Sequence, residues 1–317
     1  MLKNRQRNSH YTQQEAPFRS LLFNYYFVSS VLSSSVTPVS VPLASSDSDF
    51  FWVIYCNCDN PKFSQFWAFF YNNFNKLKLK TLYSTYISDS PLLYIYDGKN
   101  VTIQKINGNG SYDSKECLKI LDKSDLCVTN PPYSLFKDYM NLLINKNKKF
   151  IILGNLNSAT YTNIMPLITQ RKIWLGVNSG HYWFRVPSWY EEKKTDFKID
   201  EQGQKWRRMG NICWYTNLDV PEMHKDIHLS SKFSNKYPNC TNLDAIFIKY
   251  IAEIPDDYFG NMAVPITILP KLSPEQFELL GFDRELTKDN SRVKLLINGI
   301  EKTQYARLII RRNTSCL

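Results

Sequence analysis

Glycine is scarce in this chain, 11 of 317 residues, and no Gly-x-Gly follows the first strand-like run, Trp52–Cys56. That removes the usual fingerprint of a dinucleotide-binding loop. Histidine is scarcer still, with four. His224 and His228 have i, i+4 spacing, but no third or fourth ligand stands at a recognisable interval, so no metal site is expected. The seven cysteines (56, 58, 117, 127, 213, 240 and 316) form no Cys-x-x-Cys pair, and several lie inside apolar runs. They read as reduced core thiols of a cytosol-like compartment. Residues 20–46 carry no charge, yet serines, Pro38 and Pro42 interrupt their apolar residues. A membrane span needs about 20 mostly apolar residues in succession, so this stretch does not qualify. It is also separated from the basic start, which argues against a secretory signal. No internal repeat is found.

Positive charge and aromatic rings are abundant. Lys and Arg number 39 against 29 Asp and Glu, a net charge of +10, and aromatics make up 15% of the chain. Basic charge with interleaved rings suits a polyanion whose bases can be stacked on, and the alternative is a merely solvated lysine surface. A length of 317 residues accommodates one large α/β domain with a smaller one.

From Trp52 onward, strand and helix patterns alternate. Strands are expected at 52–56, 79–86, 92–96, 101–106, 126–128, 149–153 and 173–177, with Asp97-Gly98 as a hairpin turn. Helices are expected through Phe63, Phe66, Trp67, Phe70 and Phe74, at 116–121, after Tyr133, and at 159–170. This alternation predicts an α/β fold, a mostly parallel sheet flanked by helices. Two later strands, 182–186 and 211–216, bracket a charged loop at 187–210 that lies among Trp174, Trp183, Trp189, Trp206 and Trp214. Beyond 216 the pattern predicts a strand at 265–269, a short helix at 274–280, and a hairpin pairing 294–297 with 306–310 around Asn298-Gly299. Three regions follow: a poorly patterned 1–50 with its Ser/Val-rich insertion, a catalytic domain at 51–216, and an α+β portion at 217–317.

The most informative stretch is Thr129-Asn130-Pro131-Pro132-Tyr133-Ser134-Leu135-Phe136, where a short buried strand stops at two prolines. Neither proline can continue a ladder, and Asn130 is held extended by the proline after it. A rigid corner results at the carboxyl edge of the sheet, where open α/β folds bind ligands. Asn130 Oδ1 and the Pro131 carbonyl can accept both N–H bonds of a planar exocyclic amine, while Tyr133 stacks on its ring. A proline turn that packs one tyrosine is the structural alternative. Asn-Pro-Pro-Tyr at a strand end resembles the signature of class I amino-methyltransferases.

In such folds the loop after the first strand touches the cofactor. Here it is Cys56-Asn57-Cys58-Asp59-Asn60-Pro61. Asp59 can accept from an ammonium group, or it can cap a helix that starts at Pro61. Residues 55–61, 129–136 and 210–219 together resemble the EcoRI-type adenine-specific DNA methyltransferases. Gly154-Asn155, Ile173–Gly176, Lys194–Phe197 and Val264–Thr267 fit in the same order, and His10-Tyr11-Thr12-Gln13 is similar to the family's Tyr-Thr-Gln start.

The resemblance implies S-adenosylmethionine as donor, held by Tyr11, Cys56, Asn57, Cys58 and Asp59. It implies adenine N6 in duplex DNA as acceptor, with catalysis by Asn130, Pro131, Pro132 and Tyr133. Residues 217–317 are then a target-recognition portion. Apart from the resemblance, an aromatic of the 182–184 strand, Trp183 or Phe184, is a candidate to cover the other face of the base. The protein is expected as a monomer in the cytoplasm or nucleoid, away from membranes. A cognate restriction endonuclease would act separately and not in a complex. RNA adenine or a protein glutamine as acceptor, and a DNA-binding remnant without activity, stay open as alternatives. Two segments depart from the family pattern: Gly108–Tyr112, where more acidic residues are expected, and the Ser/Val-rich 28–50.

Overall fold

The computed structural model describes residues 51–176, 180–186, 188–219 and 221–314. They fall into two compact units, the described parts of Asp49–Asn130 with Tyr182–Met209, and of Pro131–His181 with Gly210–Leu317.

The first unit begins with β1 (Trp52–Cys56), α1 (Gln65–Asn72), β2 (Leu79–Thr85), β3 (Leu92–Tyr96), β4 (Val101–Lys105), α2 (Lys115–Lys123) and β5 (Leu126–Thr129). Its strand order is β4-β3-β2-β1-β5. At its centre, β1 runs parallel to β2 (Ile54 opposite Leu82) and to β5 (Ile54 opposite Leu126). Ile54, Tyr55, Leu82, Leu126 and Val128 are buried, the composition expected of strands covered on both faces. Parallel neighbours need crossovers, and α1 and α2 provide them. The antiparallel hairpin β3–β4 extends the sheet, and Asp97 Oδ1 closes its turn by accepting from the Lys99 and Asn100 amides.

Helix α1 does not start at Pro61. Asn60 closes a turn there, its carbonyl accepting from the Phe63 and Ser64 amides, and Ser64 Oγ then caps the helix by accepting from Trp67 N. Phe63 is left exposed, whereas Phe66, Trp67, Phe69 and Phe70 form the buried face. Asp59 is therefore not the cap of α1.

The second unit continues with α3 (Phe136–Asn145), β6 (Lys149–Asn155), α4 (Met165–Thr169) and β7 (Trp174–Leu175). The helix expected over 159–170 is instead a 3-10 turn, Leu156–Thr160, followed by the short α4. Tyr161 is extended, and Pro166, lacking an N–H, fits the first turn of a helix but not its interior.

Next come β8 (Gly180–Arg185), β9 (Phe197–Ile199) and β10 (Lys205–Thr216). The segment expected as a charged loop is in large part a ribbon, with β9 antiparallel to the first half of β10 (Trp206 opposite Lys198). Its polar composition hid the strands because it alternates against little core. The second half of β10 pairs with β6 (Cys213 opposite Gly154) and with β7 (Tyr215 opposite Leu175). The partner changes near Asn211, whose φ of 58° bends the strand.

The remainder of the second unit forms a sheet ordered β11 (Ile246–Phe247), β12 (Met262–Pro265), β16 (Arg307–Arg312) and β13 (Phe277–Phe282), with α5 (Asp283–Leu286) after β13. Its core gathers Cys240, Phe247, Ala263, Val293, Leu295 and Ile309. Three expectations are corrected here. The strand expected at 265–269 ends at Pro265 and passes into a 3-10 helix, Ile266–Lys271. The helix expected at 274–280 is β13, paired to β16. The Asn298-Gly299 hairpin joins β14 (Lys294–Ile297) to β15 (Ile300–Thr303), while residues 307–312 belong to the larger sheet. No helix among the described residues is long and apolar enough to cross a membrane. The six cysteines described form no disulfide with one another.

Candidate active site

The parallel strands β2, β1 and β5 finish at one edge, because the register sets Cys56 opposite Ser84 and Tyr55 opposite Cys127. The residues that follow are polar yet buried: Asn57, Asp59, Ser84, Thr85, Thr129 and Asn130. Burying so many polar groups is costly unless they bond one another. Thr129 Oγ1 reaches the Asn57 carbonyl and lies 3.0 Å from Asp59 Oδ2. Ser84 Oγ donates to the Asp59 carbonyl at 2.6 Å and reaches the Cys56 carbonyl at 3.1 Å, while Asp59 N donates to the Thr85 carbonyl. The 57–59 loop is thus fastened from β2 on one side and from β5 on the other.

Within that loop Cys58 takes φ 61°, a left-handed conformation that lets the chain turn sharply without a glycine. Asn57 Oδ1 stabilises the turn by accepting from Cys58 N at 2.8 Å, and Thr85 Oγ1 lies 3.3 Å from the same oxygen. Asn57 Nδ2 is fully buried and has no acceptor among the described residues. A buried donor of this kind costs about 1–3 kcal/mol when unsatisfied. With the Asp59 carboxylate nearby in the loop, the donor set fits a small polar molecule that carries an acceptor and an ammonium group.

Cys56 is different. Burial pushes its thiol well above the ordinary range, with Asp59 and Cys127 adding to the effect, and its carbonyl is engaged by Ser84. It acts as core. Tyr11 and the Ser/Val-rich 28–50 lie outside the described residues. Gly108–Tyr112 closes beside the end of β2. Ser88 N donates to the Asn109 carbonyl, and a Cβ on Gly110 (φ 72°) would stand 2.3 Å from the Tyr86 carbonyl oxygen. Sequence patterns did not single out Ser84 or Thr85 and gave Thr129 no role within its stretch, and only the position of these three at strand ends marks them.

Asn130 and Pro131 are buried. Pro132 is extended (φ −54°, ψ 133°), and its carbonyl accepts from Leu135 N, opening a 3-10 turn, Tyr133–Leu135, that leads into α3. Tyr133 is 50% exposed, unlike a core tyrosine such as Tyr139. In the second unit, Gly154 lets two rings close over the backbone. A Cβ there would meet Phe136 at 2.6 Å and Tyr215 at 2.8 Å, and those rings lie edge to face, 5.0 Å apart. Tyr215 also donates its hydroxyl to the Asn155 carbonyl.

The tryptophans have separate fates. Trp214 is core, and Trp206 donates Nε1 to Asp200 at 2.8 Å. Trp189 is exposed, as is Trp183, over whose ring Lys198 Nζ sits at 4.7 Å. His224 lies between Asp219 and Glu275, with Nε2 and Nδ1 at 2.5 and 2.8 Å from their oxygens. Among the described residues no cluster of His, Cys, Asp and Glu could hold a metal ion.

Parallel strands joined by helices, a buried polar loop after the first strand, and Asn-Pro-Pro-Tyr after the third parallel strand together define a class I methyltransferase fold. Residues 49–97 and 93–313 match the family model for the adenine-specific methyltransferase EcoRI, and the chain belongs to that family. It is 39% identical over 284 residues to the type II methyltransferase M.EcoRI of Escherichia coli, covering 82% of this chain and 85% of that protein. It is 38% identical over 287 residues to the type II methyltransferase M.MpnI of Mycoplasma pneumoniae, covering 84% and 89%. A third relative, M.MgeORF184P of Mycoplasma genitalium, is 34% identical over 279 residues, covering 82% and 87%. No solved structure matches the chain.

Proposed function

We propose that this methyltransferase acts on duplex DNA, transferring a methyl group from S-adenosylmethionine to N6 of an adenine rotated out of the helix. The observation that carries the reading is the unsatisfied Asn57 Nδ2 in the loop after β1, which stands between the end of β2 and the strand that leads into Asn130-Pro131-Pro132-Tyr133. Asn57 and Asp59 would hold the donor's polar groups, with Cys58 and the segment at Tyr11 completing the site and Cys56 serving as its floor. The donor supplies an electrophilic methyl group on a sulfonium sulfur.

The chain's own residues supply position and polarisation. Asn130 Oδ1 and the Pro131 carbonyl accept the two N–H bonds of the adenine amine, which aims its nitrogen and raises its electron density. Pro132 keeps the corner rigid, and Tyr133 offers a face for the base. No strong base is needed, because the proton leaves after the nitrogen has become cationic. Extruding the base from a duplex costs a few kcal/mol, and a partly exposed ring suits the role of receiving it. A net charge of +10 supports a phosphate backbone as partner.

Residues 217–317, which build a sheet of their own, are proposed to read the target sequence. The protein would work as a monomer in the cytoplasm or on the nucleoid, and a cognate restriction endonuclease would act apart from it. The test is methylation mapping of DNA from a host that expresses the chain, beside calorimetry with S-adenosylmethionine. N6-methyladenine at a defined site supports the reading. Methyl groups on RNA or on glutamine of proteins, or no donor binding at all, would replace it with another acceptor or with an inactive remnant.

A further inference from the structure

The ribbon β14–β15 has a base that is clamped and a tip that is not. Leu295 is buried in the core with Val293 and Ile309. The Lys294 carbonyl accepts from Thr241 N, Lys294 N donates to Asn242 Oδ1, and Lys294 Nζ reaches Asp289. From Leu296 to Glu301 the ribbon is exposed, and among the described residues no third strand flanks it. Asn298 and Gly299, at φ 53° and 76°, form the two-residue turn whose twist suits a tight hairpin, so the tip is narrow and stiff.

That tip is aliphatic. Leu296 and Ile300 are each 63% exposed, and Ile297 is exposed as well. Cross-strand partners share a face, so Ile297 and Ile300 lie on one face and Leu296 with Glu301 on the other. A ribbon that docks on a protein surface needs one apolar face. A narrow tip with an aliphatic side chain on each face, Glu301 standing beside Leu296 on one of them, fits a slot between two flat apolar surfaces. Lys302 is exposed on the Ile297/Ile300 face just behind the tip, while the segment before the ribbon exposes Arg284 and Lys288 together with Glu285 and Asp289. An aliphatic end with Lys302 behind it on one face matches a step between stacked base pairs bordered by a phosphate.

We propose that Leu296, Ile297 and Ile300 form a wedge that enters the duplex and occupies the gap opened when the target base leaves the stack. This rests on the duplex-DNA reading above. Proteins that insert aliphatic side chains between base steps unstack and bend the helix, and the inserted group replaces the stacking that is lost. Lys302 would hold the neighbouring phosphate.

The test uses the full chain with Leu296→Thr and Ile300→Thr combined. Threonine keeps β propensity, and both positions are exposed, so the melting temperature should not change. Single-turnover transfer is measured on an oligonucleotide duplex carrying the mapped site, with the target adenine opposite thymine or opposite an abasic position, where extrusion is already easy. The double variant is expected to be about tenfold or more slower than wild type on the paired duplex and within about twofold on the abasic one. Equal rates on the paired duplex overturn the wedge, as does equal slowing on both duplexes, which would make the tip a general binding contact. Light scattering that shows a dimer in the wild type and a monomer in the variant also overturns it, assigning the tip to self-association. A wild type that methylates neither duplex removes the acceptor reading itself, and the wedge with it.

Discussion

Thr129 Oγ1 lies 3.0 Å from Asp59 Oδ2, a link between residues 70 positions apart that ties the loop after β1 to the end of β5. The same hydroxyl reaches the Asn57 carbonyl, so one small side chain orders the loop that carries the free Asn57 amide. Thr129→Val keeps the shape and deletes the donor. A hydrogen bond to a charged group is worth about 1.5–3 kcal/mol, so the donor's Kd should rise about tenfold or more while Thr129→Ser stays near wild type. Calorimetry with S-adenosylmethionine checks this. Wild-type affinity in the valine variant would show that the link is not what shapes the donor loop.

Asn130 is buried at the strand end, ahead of the double proline. If it accepts from the reacting amine, Asn130→Ala removes a preorganised contact felt in the transition state and little in donor binding. Transfer should slow about 10²–10³-fold while the donor Kd stays close to wild type. Near-normal turnover in this variant would sink the assignment.

Gly154 has no room for a methyl group, with Phe136 and Tyr215 both inside 3 Å of the position a Cβ would take. Gly154→Ala should destabilise the second unit by about 1–3 kcal/mol, the usual cost of overpacking. Adding Phe136→Leu should recover part of that loss, since it removes the closer ring. Urea melts of the two variants test the pairing, and a silent Gly154→Ala would mean the rings move aside freely.

Both nitrogens of His224 face carboxylates, and both can donate only when the imidazole is protonated. The hydrogen bond to Asp219, then the one to Glu275, raise its pKa above the usual histidine value. The resulting stability is fully present below the unfolded pKa of about 6.5 and is lost as pH rises through the higher folded value. The melting-temperature difference between wild type and His224→Gln should therefore shrink as pH climbs above 6.5 through that folded value. A difference that stays constant or grows with pH would show that His224 is held neutral.

What could be read beforehand was local. β1 and β5 are short apolar runs closed by turn residues, so their span follows from composition, and Pro131-Pro132 marks a strand end wherever it occurs. Long-range competition was not legible. The helix expected over 274–280 has a local trace, since Ser273 Oγ accepts from Gln276 N, but pairing of Phe277 and Phe282 with β16 overrides that local preference. The Thr129–Asp59 link and the unsatisfied Asn57 amide depend on strands brought side by side by two helical crossovers. No spacing along the chain announces them.

Tyr133 offers the sharpest test of the acceptor side. It follows the rigid Pro131-Pro132 corner, opens the turn into α3, and keeps half its surface exposed. On the proposed reading, a ring in that position would serve a flipped base through its face and not its hydroxyl. Stacking of a base on an aromatic is worth roughly 1–3 kcal/mol, so Tyr133→Phe should keep most activity and Tyr133→Ala should lose about ten- to a hundredfold. The alanine variant should also bind a duplex with an already extrahelical adenine more weakly than wild type. A packing tyrosine behaves otherwise: Tyr133→Ala would lower the melting temperature, and donor binding would fall together with activity. Melting curves beside single-turnover rates separate the two roles. If both variants stay folded and the phenylalanine form is as inactive as the alanine form, the stacking role is wrong and the hydroxyl takes part in the reaction.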